Sequence, residues 1–230
     1  MRGATQVLAA LAALALAACA LPRPISEIES EVDGPSQSEK LEAVHTDLIR
    51  GMLNQAQYYA ALAHIEDQEN QRGSRPELNL LKAEALSMLG ERPRAEQLYQ
   101  RLLNSRFAGE AHHGLGLLYA QVDPRSAVGH LQQAVERRPT HAGFRSDLGY
   151  ALLRLRQLPA ARQQLSTAVE LEPNVQKWRN NLLLVVMVQG DSRAIAQLSA
   201  GVPPATLDAL RRQAASLAQQ SPSANDQERS

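Results

Sequence analysis

The chain has 230 residues, of which 44% are hydrophobic and 21% charged, and its 24 lysines and arginines balance its 24 aspartates and glutamates. A net charge of zero argues against a nucleic-acid-binding protein, which normally carries a basic excess, and against an acidic tail. Aromatic residues make up only 3%, while alanine and leucine are frequent. This composition favours an all-α fold over a β-sandwich or barrel. Cys19 is the single cysteine, so a disulfide framework within the chain is excluded.

The N-terminal residues have the pattern of a secretory signal. Arg2 supplies a positive charge, and residues 7–18 form an apolar stretch shorter than the roughly 20 residues that cross a bilayer. The stretch ends in the letters LAAC at 16–19, which resemble the bacterial lipobox. The resemblance implies that residues 1–18 are removed and that Cys19 carries acyl chains, in which each buried methylene contributes about 0.8 kcal/mol of anchoring. An ordinary cleaved signal with a chance cysteine is the alternative.

The residues after the cysteine indicate where the lipid anchor resides. Ala20 is not the aspartate that holds many lipoproteins at the inner membrane, and by family analogy this favours the periplasmic face of the outer membrane. Residues 19–37 contain three prolines and several acids without a helical period. We therefore expect the lipidated cysteine to be followed by an extended, flexible tether.

Residues of similar character recur about every 34 positions along the remaining chain. Ala61, Ala95, Ala127, Ala161 and Ile195 are separated by 34, 32, 34 and 34 residues. This is the period of the tetratricopeptide repeat, a helix–turn–helix unit of about 34 residues. The sequence therefore predicts an all-α solenoid of about five units over 38–220. Its last element is a capping helix over 204–220, followed by a disordered tail over 221–230.

Small residues, glycines and prolines at fixed places support this prediction. Gly116 and Gly149 stand where two helices of a unit should approach closely, and a larger side chain there would cost about 1–3 kcal/mol by overpacking. Gly90 and Gly190 are expected to end first helices in the left-handed conformation. Pro139 is expected to follow a second helix, because proline lacks an N–H and clashes with the preceding turn.

No arrangement of residues in the sequence is typical of an enzyme. His112 and His113 are adjacent and point roughly 100° apart on a helix, so we expect one to pack between helices and the other to face the groove, rather than both to bind a metal. The Gly114-Leu115-Gly116 segment lies inside a predicted helix and is not a phosphate loop. We therefore expect no catalytic residue, metal, cofactor or small-molecule substrate, and a function that resides on a protein-binding surface.

In tetratricopeptide proteins fixed positions of each first helix line a concave groove. Carried onto this sequence, those positions are Leu80, Glu84, Met88, His113, Leu117, Gln121, Tyr150, Leu153, Arg154, Asn180, Leu184 and Val188. The set is unusually apolar, and it contains only a poor imitation of the basic clamp that holds a peptide carboxylate. An apolar groove with a polar rim suits an amphipathic helix of a partner protein. The alternative is that some of these residues belong to the core or are covered by the C-terminal helix.

Four segments of the chain resemble a particular group of repeat lipoproteins. Residues 50–66, 77–86, 111–120 and 144–153 are similar, in matching order, to the tight-adherence (Tad/Flp) pilus assembly lipoproteins. The resemblance implies a pilotin-like role, in which the protein binds a secretin subunit and aids its assembly in the outer membrane. A type IV pilus pilotin, a scaffold of outer-membrane barrel assembly, and a lipoprotein regulator of a peptidoglycan enzyme are the alternatives.

Overall fold

The computed structural model describes residues 36–219, with the side chain of Glu39 excepted. The expected signal, the lipidated Cys19, the tether up to residue 35 and the predicted tail lie outside the described residues. Contacts divide the chain after Glu42 into two compact units, of which the second is Ala43–Ser230. None of the helices within 36–219 is both long and apolar enough to cross a membrane.

Between residues 36 and 219 the chain forms eleven α-helices and no strand, which confirms the predicted all-α class. The helices are α1 (Gln37–Asn54), α2 (Tyr58–Arg72), α3 (Pro76–Met88), α4 (Arg92–Leu102), α5 (Ala108–Tyr119), α6 (Pro124–Arg137), α7 (Ala142–Arg154), α8 (Leu158–Leu171), α9 (Gln176–Gln189), α10 (Ser192–Leu198) and α11 (Pro204–Gln219). Successive pairs from α1–α2 to α9–α10 are units one to five, and α11 follows them. The predicted five units and final helix are therefore present.

Local chemistry explains where several helices begin. Proline occupies the first turn of α3, α4, α6 and α8. A backbone N–H at that place has no acceptor within the helix, so the helix loses no hydrogen bond because proline lacks one. Asp123 and Asp191 cap α6 and α10 by accepting the backbone N–H of Ser126 and of Ala194 respectively. The pKa of Asp123 is held below its ordinary value first by a hydrogen bond from the Ser126 hydroxyl and then by the backbone N–H, whereas for Asp191 the backbone N–H of Ala194 is the main cause.

The turn between the two helices of a unit contains one residue with positive φ in four of the five units. Gly90 and Gly190 have φ of 80° and 73°, which confirms the prediction that they end first helices in the left-handed conformation. The same place in units one and four holds Ala56 and Arg156, with φ of 57° and 62°. Each of the four stands five residues before the repeated Ala61, Ala95, Ala161 or Ile195 position.

The predicted close approaches of helices are confirmed. A Cβ atom added to Gly116 would lie 2.6 Å from Cγ of Leu131, which joins α5 to α6. A Cβ atom added to Gly149 would lie 2.5 Å from Cγ of Leu165, which joins α7 to α8. Both leucines are fully buried, so neither can move aside without disturbing the core.

The buried apolar residues form three clusters along the stack. Ile49, Ile65 and Leu78 belong to the first, and Tyr99 and Leu115 to the second. The third cluster extends from α6 to α11 and includes three residues of the last helix: Leu210, Ala214 and Leu217. The last helix is therefore part of the folded core of units four and five.

Candidate functional site: the groove of the first helices

The predicted groove residues fall into two classes. Those that line two cavities on the face of α3, α5 and α7 are Glu84, Met88, His113, Leu117, Gln121, Tyr150 and Arg154. We call this surface the open groove. The remaining five predicted residues line neither cavity.

The two cavities of the open groove meet at one leucine. The larger cavity, of about 420 Å³, contains Glu84, Met88, His113 and Leu117. The smaller cavity, of about 260 Å³, contains Leu117, Gln121, Tyr150 and Arg154. Leu117 and Met88 are 48% and 63% exposed, which is high for large apolar side chains in a folded protein. The centre of the open groove is therefore both apolar and accessible.

Three of the predicted groove residues are core residues, and the prediction that they face an open groove is wrong. Leu80, Leu153 and Leu184 are at most 5% exposed, because their side chains enter the hydrophobic clusters between neighbouring helices. Asn180 and Val188 are half-buried on α9, and Val188 packs against the third cluster. The fifth unit thus contributes no residue to the open groove.

A hydrogen-bonded ionic group lies beside the larger cavity. Nε2 of His113 is 2.8 Å from Oδ2 of Asp147, and Nζ of Lys177 donates to Oδ1 of the same carboxylate at 3.3 Å. Burial raises the pKa of Asp147, but the hydrogen bond and charge of His113, aided by Lys177, outweigh burial and lower the pKa below its ordinary value. The His113 ring also stacks on Phe144, with ring centroids 4.4 Å apart. These contacts fix the imidazole in the groove wall.

Several of the polar contacts join residues separated by one repeat length. His113 and Asp147 are 34 residues apart, and so are Arg154 and Ala120, whose carbonyl oxygen accepts from Nη1 of Arg154 at 3.0 Å. Because successive first helices lie side by side in a solenoid, such contacts run along the groove. They tie units three and four into one surface.

Glu84 is the acidic residue of the larger cavity that has no partner of opposite charge in contact. No described side chain lies within hydrogen-bonding distance of its carboxylate. Nearby Glu110 is paired with Arg138, and Arg50 is paired with Glu77. Burial raises the pKa of Glu84 more than the charges of Arg50 and His113 lower it. Glu84 is therefore available to accept a hydrogen bond from a partner.

We expect Glu84→Gln to raise the thermal stability of the protein at pH 7. The ordinary pKa is 4.5 and the folded value is higher, so folding becomes less favourable as pH rises from 4.5 through the folded pKa. A neutral amide removes this penalty, whereas below pH 4.5 the variant and the wild type should unfold at the same temperature. Thermal unfolding followed by circular dichroism at both pH values checks this. Glu66→Gln, at an exposed site on α2, is the control, and equal unfolding temperatures at pH 7 would contradict the prediction.

The two adjacent histidines take the separate positions that their spacing predicts. His113 lies in the groove, whereas Nδ1 of His112 lies 3.1 Å from Nδ1 of His130, between α5 and α6. The Tyr119 ring stacks on His130, with centroids 5.6 Å apart. Burial lowers the pKa of both His112 and His130. Within 36–219 no three His, Cys, Asp or Glu side chains are grouped as a metal site would require.

Sequence reasoning missed several residues of the larger cavity. Leu53, Asn54 and Tyr58 of unit one line it, together with Phe144 of unit four. Asn54 stands 34 residues before Met88, so the same repeat positions carried into unit one would have found it. Phe144 lies at the start of α7, and no groove position of the repeat predicts that it lines the cavity.

The last helix closes the groove at the fifth unit, as the alternative to an open groove foresaw. Helix α11 packs against the first helix α9 and much less against the second helix α10. Nε2 of Gln213 donates to the hydroxyl of Tyr150 at 3.1 Å, and Nη1 of Arg156 donates to the carbonyl oxygen of Leu217 at 3.1 Å. The open groove therefore extends over units two to four, is completed by the unit-one residues that line its larger cavity, and ends at α11.

Comparison with known proteins agrees with this architecture. A family model described as a tetratricopeptide repeat matches residues 118–181. The chain is 37% identical over 167 residues to the TPR repeat-containing protein PA4299 of Pseudomonas aeruginosa. That match covers 69% of this chain and 65% of the relative, so the chain spans just under two thirds of the relative's length.

Solved structures share the fold at low sequence identity. The thermophilic TPR protein TTC0263 of Thermus thermophilus has a TM-score of 0.58 and 21% identity, over 76% of this chain and 98% of that one. MamA of Desulfovibrio magneticus has a TM-score of 0.56 and 20% identity, over 78% of this chain and 97% of that one. The repeated spacing, the helical pairs and these solved structures together show that the chain has the fold of a tetratricopeptide-repeat solenoid, and the family model identifies the repeat itself within 118–181.

Proposed function

We propose that this protein is a lipid-anchored scaffold of the outer membrane that binds a secretin subunit through its open groove during assembly of a Tad/Flp pilus. The observation that carries the binding part is the accessible apolar centre of the groove, where Leu117 and Met88 are exposed between units two and three. A chain that folds around these side chains without covering them leaves a surface that a partner can bury. What supports the secretin as partner is the resemblance of four segments to Tad/Flp pilus lipoproteins.

The groove suits an amphipathic helical segment of the partner. Its two cavities adjoin at Leu117, and polar groups from Glu84, Gln121 and Arg154 surround the apolar centre. Apolar side chains of the partner would enter the cavities, and its polar side chains would meet the rim. Leu117 would thus lie at the centre of the interface, where truncation has the largest effect.

The anchor part of the proposal rests on the N-terminal sequence. Acylation of Cys19 would hold the protein at the periplasmic face of the outer membrane, and residues 20–35 would separate the repeat units from the lipid. Such an arrangement delivers a bound secretin subunit to the membrane in which it assembles.

Deletion of the gene, with the wild-type gene as complement, tests this proposal. We expect the secretin to lose its outer-membrane location and its multimeric form, and surface pili to disappear, while barrel-protein levels and wall turnover stay normal. Cys19→Ser should give the same phenotype with the repeat protein still present, because only the anchor is lost. The mature protein should also retain the secretin in a pull-down. An unchanged secretin level, location and multimer would refute the pilotin role, and a fall in barrel proteins or in wall turnover would favour one of the other lipoprotein functions.

A further inference from the structure

In unit four, the turn residue with positive φ is of a different type from the residue at the same place in the other units. Glycine stands there in units two and five, as Gly90 and Gly190, and a small alanine, Ala56, in unit one. Unit four has Arg156, with φ of 62°. This conformation is unfavourable for any residue other than glycine, because a Cβ atom crowds the following carbonyl oxygen. Ala56 and Arg156 therefore bear the same backbone strain, and only Arg156 has a side chain long enough to make a contact beyond its own turn.

The side chain of Arg156 makes such a contact. Its Nη1 atom donates to the carbonyl oxygen of Leu217 in α11, 61 residues further along the chain, at 3.1 Å. A hydrogen bond from a charged donor is stronger than one between neutral groups. Arg156 thus ties α11 to the turn of unit four.

Helix α11 lies where a partner helix would lie if the groove continued through unit five. It packs on the first helix α9, the helix type that lines the groove, and not chiefly on the second helix α10. Its buried residues Leu210, Ala214 and Leu217 have the i, i+4, i+7 spacing of an amphipathic helix. Leu184 of α9 is 1% exposed and belongs to the same hydrophobic cluster as these three residues.

Helix α11 is held by few specific contacts besides its apolar face. Two hydrogen bonds join α11 to unit four: Arg156 donates to Leu217, and Gln213 donates to Tyr150, which also lines the smaller cavity of the open groove. The site occupied by α11 is therefore continuous with the open groove. The structure shows what kind of segment this site binds, because the amphipathic helix α11 fills it.

We propose that the groove surface of α9 is a second helix-docking site, that α11 is its built-in occupant, and that Arg156 latches α11 in place. A partner helix with leucine or alanine at i, i+4 and i+7 would exchange with α11 and extend the interface from units two to four into unit five. This inference rests on the groove being a helix-docking surface, as proposed above, and is independent of which protein supplies the helix.

The test compares Arg156→Gly with Ala56→Gly in the full chain, with Cys19→Ser in both so that no lipid micelle competes for a peptide. Both substitutions relieve the same backbone strain, but only the first removes the contact to Leu217. We expect the amides of 204–219 to exchange with deuterium at least tenfold faster in Arg156→Gly, with α3 to α8 unchanged. A fluorescent peptide with the sequence of residues 204–219 should bind this variant at least fivefold more tightly than it binds the parent or Ala56→Gly.

Each outcome of this test decides one part of the inference. Unchanged exchange of α11 in Arg156→Gly, or equal acceleration in Ala56→Gly, would overturn the latch. Faster exchange without tighter peptide binding would overturn the docking site and leave α11 as a cap alone. Arg156→Met keeps the Cβ atom and loses the guanidinium, so it should release α11 as Arg156→Gly does. If the wild-type chain does not bind the secretin subunit, the proposed partner is refuted. The hydrogen-exchange and peptide-binding results would still stand, because neither measurement uses the secretin.

Discussion

Replacing Gly149 by alanine is expected to lower the free energy of unfolding by about 1–3 kcal/mol, because one added methyl group overpacks the contact between α7 and α8. The new Cβ atom would lie 2.5 Å from Cγ of Leu165 and 3.1 Å from the carbonyl oxygen of Ala161. Leu165 is fully buried, and the carbonyl belongs to the backbone of a helix, so relief requires the two helices to separate. Urea denaturation followed by circular dichroism measures the change.

The matched control is Gly129→Ala, which makes the same chemical change within helix α6. No atom lies within 4 Å of a Cβ atom added there, so the substitution should stabilise the protein by roughly 0.5–1 kcal/mol through helix propensity alone. Opposite signs for the two variants are the expected result. Equal stabilisation by both would show that α7 and α8 do not meet as closely as the structure has them.

Replacing Leu117 by glutamate is expected to weaken partner binding at least 100-fold, a loss of about 2.7 kcal/mol, without reducing helicity. Leu117 borders both cavities, so a carboxylate at this position would be buried under an apolar partner face. Arg154, the cation that lines the smaller cavity, already donates to the carbonyl oxygen of Ala120. Glu84 and Asp147 line the same cavities and add like charge. The side chain is 48% exposed in the free protein, which explains why folding should be little affected. Titration of the mature protein with the secretin subunit measures the affinity.

Tyr59→Glu provides the control for this prediction. Tyr59 is 77% exposed in the first turn of the second helix α2, away from the two cavities, and a carboxylate there suits the helix dipole. Its affinity should equal that of the wild type. Tyr150→Glu is a less specific variant, because the Tyr150 hydroxyl also accepts a hydrogen bond from Gln213 of α11. Wild-type affinity of Leu117→Glu would place the binding site outside the groove.

The repeat spacing predicted the framework because each unit repeats the same close contact. The positions of Gly116 and Gly149 indicated where paired helices meet, and Gly90 and Gly190 indicated the turns. The groove was predicted less well. Gly116 and Gly149 pack in the same way, and aligning them matches His113, which lines the open groove, with Ser146, which is fully buried. Equivalent repeat positions therefore need not face the groove in every unit.

The position of α11 could not be predicted from its own sequence. The spacing of Leu210, Ala214 and Leu217 predicts an amphipathic helix, but it does not say which surface the apolar face covers. That choice depends on α9 and on Arg156, whose contact in α11 is 61 residues away. For the same reason the sequence predicts Leu184 to be a groove residue, whereas in the structure it is a core residue.

Hydrogen exchange of the mature protein with and without the bound secretin subunit tests the central claim most directly. If the open groove is the binding site, binding should slow the exchange of amides in the first helices α3, α5 and α7, most of all around Leu117. The second helices α8 and α10, none of whose residues lines either cavity, should change little. Protection confined to those second helices, or no protection at all in a complex that demonstrably forms, would contradict the account.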